Sequence, residues 1–136
     1  MRIHRSFDRP SVKASADWFT GTVWQDPIVD APDPARIRAV RVAFEPGART
    51  NWHTHPLGQT LHVLAGVGLV QKEGEPVRRI LPGDTVWIGP DEKHWHGASA
   101  NRSMMHLALH EHDETGTHVT WLEPVSDADY GRPPEP

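Results

Sequence analysis

Cysteine is missing from this 136-residue sequence, which contains ten histidines. Its absence excludes a disulfide scaffold, a thiolate zinc site, an iron–sulfur cluster and a cysteine nucleophile. Histidine, helped by carboxylate or amide oxygens, is the strong metal-ligand chemistry that remains. Any metal site in this chain must therefore be built from nitrogen and oxygen donors.

Long segments free of helix-breaking residues are also missing. Thirteen prolines and eleven glycines are spread along the chain, and the longest stretch that lacks both covers residues 98–115. This distribution argues against a helical bundle, because proline and glycine interrupt helices. It predicts many short strands joined by turns, and hence an all-β protein.

Neither charge nor hydropathy indicates a nucleic-acid or membrane partner. The formal net charge is −4, with 14 basic and 18 acidic residues intermixed. There is no basic stripe or polybasic run, and no apolar run approaches the roughly 20 residues of a membrane helix. The first residues lack the apolar core of a signal peptide, so we predict a cytoplasmic protein that acts on a small molecule.

Alternating hydrophobicity predicts strands at the spacing of a sandwich or barrel. The clearest case is residues 37–44, in which Val40, Val42 and Phe44 share one face. The other predicted strands cover residues 18–23, 60–65, 68–72, 77–80, 85–88, 103–111 and 118–123, and residues 127–130 form one helical turn.

The body of the chain contains neither an internal repeat nor a linker, so we predict a single domain at residues 16–130. Residues 1–15 carry no clear strand or helix pattern and are predicted to form an N-terminal arm. Residues 131–136 are rich in proline and are predicted to be a disordered tail.

Two separate segments carry polar residues at metal-ligand spacing. His53 and His55 are two residues apart, so in an extended segment their side chains point to the same side. Gln59 follows after three residues, and His94 comes from a different strand. This spacing predicts three imidazoles and one oxygen ligand that converge on one point and leave positions open for a substrate.

These segments resemble the two motifs of the cupin superfamily. The first reads Gly47, five residues, His53-Thr54-His55, three residues, Gln59, six residues, Gly66; the second reads Gly83, five residues, Gly89-Pro90-Asp91, two residues, His94. Most cupins have glutamate at position 59, proline at 89 and glycine at 91, so this chain departs there. The resemblance implies a single-domain jelly-roll barrel, also called a double-stranded β-helix, with an N-terminal arm.

A narrower resemblance extends from about residue 16 to residue 130. Residues 16–23, 44–50, 55–61 and 93–98 are similar to bacterial manganese-dependent cupin hydroxynitrile lyases. These small cupins cleave or form (R)-cyanohydrins such as mandelonitrile. The resemblance implies Mn(II) as the cofactor, with Fe(II), Ni(II) or Zn(II) as other candidates.

The same resemblance implies roles for individual residues. His53, His55, Gln59 and His94 would bind the metal, and His106 would be the nearby acid/base. By periodicity alone, His106 is as consistent with a structural role as with a catalytic one. Because Gln59 is neutral, the site keeps the full +2 charge of the metal, which favours Lewis-acid chemistry over oxygen activation.

Six further residues are predicted to line a substrate pocket for an aromatic or apolar molecule. Ala108 and His110 share a strand face with His106, whereas His96 faces the same way as His94 and competes with it for the fourth ligand position. Core packing explains the apolar members equally well. The set is Val40, Val42, Phe44, His96, Ala108 and His110.

Three other functions remain open from the sequence. An iron- or manganese-dependent cupin dioxygenase also uses three histidines, and a cupin can bind a small molecule without catalysis. An isomerase or decarboxylase of a sugar acid is a third alternative, although the apolar residues and six tryptophans argue against it. Surplus tryptophans also predict a homodimer or homotetramer with buried interfaces.

Overall fold

Short β-strands make up most of the regular structure in the computed structural model, which describes residues 1–136. A 3₁₀ helix at Ser6–Asp8 precedes them, and one short α-helix, α1 (Asp127–Tyr130), follows them. The strands are β1 (Val12–Lys13), β2 (Phe19–Thr20), β3 (Val23–Asp30), β4 (Ile37–Phe44), β5 (Arg49–Thr50), β6 (His53–Thr54), β7 (Gln59–Gly66), β8 (Gly68–Lys72), β9 (Arg78–Ile80), β10 (Thr85–Ile88), β11 (His94–Ala98), β12 (Met104–Glu111) and β13 (Thr120–Trp121).

The strands form two antiparallel sheets. The first sheet has the order β1-β3-β4-β12-β7-β10, and the second has the order β13-β6-β11-β5-β2, with β8 and β9 attached through β11. Many neighbours in a sheet are distant in sequence, as expected when a chain crosses between two sheets. The prediction of an all-β protein is confirmed.

Strand β12 lies at the centre of the first sheet and carries one buried row of side chains. His106 pairs with Val42 of β4 and Val63 of β7, and Ala108 pairs with Val40 and Leu61 on the same two strands. Side chains alternate between the faces of a strand, so the row from His106 to His110 points toward the second sheet. This face forms one wall of the site described below.

Apolar side chains between the sheets form the main core. Phe44, Leu61 and Met104 are almost fully buried there, and Phe19 of β2 packs against Phe44 with ring centroids 6.4 Å apart. A smaller cluster surrounds Trp95, whose indole Nε1 donates a hydrogen bond of 2.8 Å to Gln71 Oε1. The indole nitrogen is thereby satisfied in a buried position.

Several predicted elements are confirmed at their bounds. Strands β4, β8 and β10 and helix α1 match the predicted residues 37–44, 68–72, 85–88 and 127–130. The predicted strand at 118–123 is shorter, since only Thr120–Trp121 pairs with β6.

Other elements differ from the prediction. The expected strand at 18–23 is interrupted at Gly21, where a φ of 79° turns the chain between β2 and β3. Strand β3 was not predicted, because Pro27 and two aspartates break its alternation. The sheet tolerates Pro27 because the register shifts between Pro27 and Val29.

Both termini contact the sheets. Within residues 1–15, β1 pairs with β3, and at the other end Glu135 N donates a hydrogen bond of 2.8 Å to Val77 O. The predicted bounds of arm, domain and tail stay predictions. No helix in the chain is both long and apolar enough to cross a membrane.

Candidate metal centre

Strand pairing brings the predicted metal ligands together. His53 at the start of β6 is the direct partner of His94 at the start of β11. His55 follows β6 directly, and Gln59 begins β7 in the other sheet. All four side chains are buried. Both sheets therefore contribute polar side chains to one point inside the protein.

The imidazole rings form a compact group. The centroid of the His53 ring lies 4.2 Å from that of His94, 5.1 Å from that of His55 and 5.3 Å from that of His96. One nitrogen from each of His53, His94 and His96 can be chosen so that all three lie within 4.8 Å of one another. Three buried histidines are thus close enough to hold a metal ion.

Hydrogen bonds to main-chain carbonyls orient the three predicted histidine ligands. The Nδ1 atoms of His53, His55 and His94 lie 2.9, 2.6 and 2.8 Å from the carbonyl oxygens of Asn51, His118 and Glu92. A carbonyl oxygen only accepts, so each Nδ1 carries the proton and each Nε2 keeps its lone pair. This arrangement is typical of metal-binding histidines.

Several buried acceptors in this group have no partner in the protein. Nε2 of His55, Nε2 of His94 and Oε1 of Gln59 are shielded from solvent and make no hydrogen bond. Leaving such atoms unpaired costs free energy. Two imidazole nitrogens and an amide oxygen with free lone pairs fit a divalent cation, so the residues present suit a metal.

Burial keeps these histidines neutral. It lowers the pKa of His94 to about 4, against the opposing effect of the Glu92 carbonyl, and it lowers the pKa of His55. It also lowers the pKa of His53 well below its usual value, and His94 and His55 add to the effect. Metal binding needs neutral imidazole, so no proton has to be displaced near neutral pH.

His96 and His106 form a second, connected pair. His106 Nε2 lies 3.0 Å from His96 Nδ1, and both side chains are buried. The His106 ring packs against Phe44 with centroids 5.3 Å apart, and burial lowers its pKa to about 4. His106 is therefore a neutral base at neutral pH, and its acid/base role stays a prediction.

A cavity of about 690 Å³ opens beside these residues. Its wall includes His53, His55, Gln59 and His106, whereas His94 lines a smaller neighbouring cavity. The six residues predicted for the substrate pocket all line it, namely Val40, Val42, Phe44, His96, Ala108 and His110. Their contact with a substrate stays a prediction.

The sequence interpretation missed the polar residues at another part of this cavity. Arg38 and His118 line it, and neither belongs to the predicted site residues. The carbonyl oxygen of His118 accepts the hydrogen bond from His55. Nothing in the local sequence signals this contact, because it joins residues that are 63 positions apart and His118 lies in a loop of the structure.

Comparison with known proteins agrees with this architecture. A sequence model of the cupin domain matches residues 40–116, more than half of the chain. The chain belongs to the cupin family. The predicted resemblance to cupins is confirmed, and with it the jelly-roll fold.

Relatives of this cupin include a curated protein and several solved structures. The chain is 55% identical to an (R)-mandelonitrile lyase of Granulicella tundricola, over 97% of this chain and 100% of that protein. It is 39% identical to a cupin-like protein of Thermotoga maritima, with a TM-score of 0.82 over 87% of this chain and 89% of that one. The polyketide cyclase RemF of Streptomyces resistomycificus, 18% identical, shares the fold with a TM-score of 0.71 over 96% and 90% of the two chains.

The structure explains how this cupin keeps its second motif despite two departures. Asp91 stands where most cupins have glycine, and its φ is 59°. Aspartate tolerates this left-handed region better than most residues. The Asp91 N–H donates a hydrogen bond of 2.9 Å to His55 O, and the Gly89 N–H donates one of 2.8 Å to Glu92 Oε2. The turn that leads into His94 is thus tied to the first motif.

Proposed function

We propose that this cupin is a metal-dependent lyase that cleaves or forms (R)-cyanohydrins such as mandelonitrile. The observation that carries this proposal is the 55% identity to an (R)-mandelonitrile lyase over that protein's full length. The site agrees with it, because a group of buried histidines borders a largely apolar cavity. A small aromatic molecule fits such a pocket.

We further propose that His53, His55, Gln59 and His94 hold Mn(II). All four donors are neutral, so nothing in the set reduces the charge of the cation. When bound, the metal supplies Lewis acidity that polarises the hydroxyl or carbonyl oxygen of the substrate. Sites rich in nitrogen bind nickel, copper and zinc more tightly than manganese, so the metal has to be controlled in any assay.

The protein contributes proton handling through His106. Cleavage of a cyanohydrin releases an aldehyde and hydrogen cyanide, so the hydroxyl proton must end on cyanide. His106 is neutral near pH 7 and is held in place by its contact with His96 Nδ1. We assign it the transfer of this proton, a step in which a positioned base typically contributes about 10²–10⁴-fold.

The apolar part of the cavity wall receives the organic group of the substrate. Val40, Val42, Phe44 and Ala108 lie on neighbouring strands β4 and β12, with their side chains toward the second sheet. An aromatic ring that covers these side chains removes apolar surface from water. This wall supports an aromatic or apolar substrate.

An assay on metal-free and manganese-loaded protein tests the proposal. Racemic mandelonitrile is added, benzaldehyde release is followed, and the enantiomers of the remaining nitrile are separated. We expect manganese-dependent release that consumes the (R)-enantiomer. A His62→Ala variant is a matched control, because His62 bonds Thr85 and does not line the cavity.

Two outcomes would contradict the lyase. Oxygen consumption without benzaldehyde release would indicate a dioxygenase. Tight binding of the nitrile without any turnover would indicate a small-molecule binding cupin.

We also propose that the chain forms a homodimer or homotetramer. The outward face of the first sheet carries Trp24, Leu64 and Trp87, of which Trp87 is 64% exposed. Large exposed apolar side chains on one sheet face are candidates for burial in an interface. Light scattering on purified protein tests this, and a stable monomer would overturn it.

A further inference from the structure

One end of the cavity carries an excess of positive charge. The charged residues that line the cavity are three arginines and one aspartate, namely Arg2, Arg9, Arg38 and Asp30. The chain as a whole is acidic, with a formal net charge of −4. Cationic side chains that line a cleft favour anions over cations and raise the local concentration of an anionic ligand. The charge of the lining therefore indicates a ligand with a negative group.

Arg38 lies at the partly exposed end of the apolar wall. It continues the row of Phe44, Val42 and Val40 on the cavity side of β4, and its side chain is 30% exposed, whereas Phe44 is 1% exposed. Arg38 is four residues from Val42, the strand partner of His106, so roughly 13 Å separates them along β4. The cavity thus has a deep apolar part and a cationic end.

Neighbouring groups orient the Arg38 guanidinium without using all of its donors. Arg38 Nη1 contacts His118 Nε2, and Arg38 Nε lies 3.7 Å from Asp30 Oδ1. The Asp30 side chain is 70% exposed, so solvent screens its attraction for Arg38. Arg38 Nη2 makes no hydrogen bond within the protein and, unlike Nε, is not shielded from solvent. Since arginine has five donors and stays charged, Arg38 keeps donors for a ligand.

The N-terminal segment brings a second guanidinium to the same end. Strand β1 is antiparallel to β3, so the residues before it run beside β3 toward Asp30, the strand partner of Arg38. Arg9 Nη1 donates a hydrogen bond of 2.8 Å to Ile28 O, and Arg9 Nη2 has no partner in the protein. Two arginines from separate parts of the chain therefore line one end of the cavity.

A carboxylate matches this end in both geometry and charge. The planar guanidinium group donates two parallel hydrogen bonds to the two oxygens of a carboxylate. Arg38 pairs with His110, and His110 pairs with the proposed ligand Gln59, so two strand spacings of roughly 5 Å each separate Arg38 from Gln59. A benzene ring with substituents at opposite positions bridges a distance of this order. The arrangement therefore favours a carboxylate on the aryl group, remote from the reacting carbon.

We propose that Arg38, assisted by Arg9, is a carboxylate-binding site that determines specificity, and that the preferred substrate is an aromatic aldehyde, or its cyanohydrin, with a carboxylate on the ring. The apolar wall contacts the ring, and the guanidinium groups bind the carboxylate. The substrate preference rests on the proposed lyase function, whereas carboxylate binding at Arg38 does not.

Two matched alcohols test carboxylate recognition without any turnover. para-Hydroxymethylbenzoate and para-hydroxymethylbenzamide have nearly the same shape and differ by one charge. Each is titrated into zinc-loaded, ¹⁵N-labelled protein, because Zn²⁺ is diamagnetic, and the shifted resonances are followed. We expect the benzoate to bind about 10-fold more tightly and to shift the Arg38 side-chain Nε–H resonance. Equal Kd values, or shifts confined to residues outside the cavity, would overturn the proposal.

Variants separate binding at Arg38 from binding of the carboxylate to the metal. In Arg38→Met the advantage of the benzoate should disappear, and Arg38→Lys should restore only part of it, since lysine keeps the charge but not the planar fork. Arg41→Met is the matched control, because it removes the same charge from the outer face of β4, where Arg41 bonds Asp26. An undiminished advantage in folded Arg38→Met would overturn the proposal.

Arg9 provides a test that does not disturb the sheet. Arg9→Met should lower the advantage of the benzoate about 3-fold, because one of the two guanidinium groups remains. This variant decides the question if the Arg38 variants do not fold, since Arg9 precedes the first strand. An unchanged ratio of the two Kd values in Arg9→Met would remove Arg9 from the site.

The same preference should appear in catalysis. With manganese-loaded protein, kcat/KM is measured for the cyanohydrins of para-formylbenzoate and para-formylbenzamide. The ratio of the two values should fall about 10-fold in Arg38→Met and stay unchanged in Arg41→Met. Lyase failure with every cyanohydrin would refute the proposed function and leave the binding result standing. An unchanged ratio in active Arg38→Met would refute the substrate preference alone.

Discussion

His53 and His94 are directly paired residues of β6 and β11, and their ring centroids lie 4.2 Å apart. Two possible ligand sets share this pair. One set adds His55 and Gln59, which follow from the motif spacing, and the other adds His96, which lies close to both rings. Metal content of single variants separates the two sets.

The first prediction concerns this choice of ligands. We expect His55→Ala to weaken Mn(II) binding by at least roughly 10–100-fold, since changes to residues that only contact a ligand already have an effect of this size. We expect His96→Ala to leave the metal bound. Elemental analysis after dialysis against graded manganese measures both. His62→Ala is the control, because His62 bonds Thr85 away from the cavity. Loss of metal in His96→Ala with retention in His55→Ala would assign the site to His53, His94 and His96.

The second prediction concerns the neutral oxygen donor. In Gln59→Glu a carboxylate replaces the amide and lowers the net charge of the loaded site by one. We expect tighter metal retention and slower lyase turnover, because the cation polarises the substrate less. Metal dissociation constants and kcat are measured on the same preparations. Faster turnover in this variant would contradict the Lewis-acid interpretation.

The third prediction concerns proton transfer. His106→Ala should keep its metal and lose about 10²–10⁴-fold in kcat, as expected when a general acid/base is removed. Elemental analysis and benzaldehyde release on one sample separate metal loss from loss of chemistry. A variant with normal metal content and normal turnover would show that His106 is structural.

The fourth prediction concerns acid stability. The pKa values of His94 and His106 are lowered to about 4 from a usual value of 6.5. Between these two values the unfolded chain binds more protons than the folded one, so stability is lost as pH falls from about 6.5 to about 4. Urea denaturation of metal-free protein should show this loss. The slope should flatten in His106→Gln, whereas His4→Gln, an exposed control, should keep it.

The fifth prediction concerns the turn before His94. Asp91 has a φ of 59°, so a β-branched residue is strained there. We expect Asp91→Val to lower the free energy of unfolding by about 1–2 kcal/mol, and Asp91→Gly or Asp91→Asn to be tolerated. Denaturant titration measures this. Equal stability of the valine and glycine variants would show that the turn relaxes.

Local patterns predicted the parts of the fold that have one buried face. Residues 37–44 alternate strictly because β4 lies between β3 and β12 and buries a single side. The motif spacing placed His94 on a strand, but the bounds of β11 were not predicted, since all five residues from His94 to Ala98 are buried and no alternation results. Strand β3 was not predicted because Pro27 interrupts its pattern. In the structure β3 nevertheless pairs with β4, and Pro27 lies opposite Val40.

The candidate site was likewise predicted only in part. Spacing within short segments predicted that His53, His55 and Gln59 lie together, because two-residue steps and a short loop fix their directions. The contact between Arg38 and His118 joins residues 80 positions apart. Such a contact depends on how the loop after β12 returns to the sheet, and no local pattern in the sequence encodes that path.

The origin of the proposed ligands has a mechanical consequence. His53 and His94 belong to the second sheet, and Gln59 belongs to the first. A cation bound by all three would connect the two sheets of the barrel. Its removal should therefore raise amide hydrogen exchange at the ends of β6, β7 and β11 together, so that the barrel opens at this end as one unit.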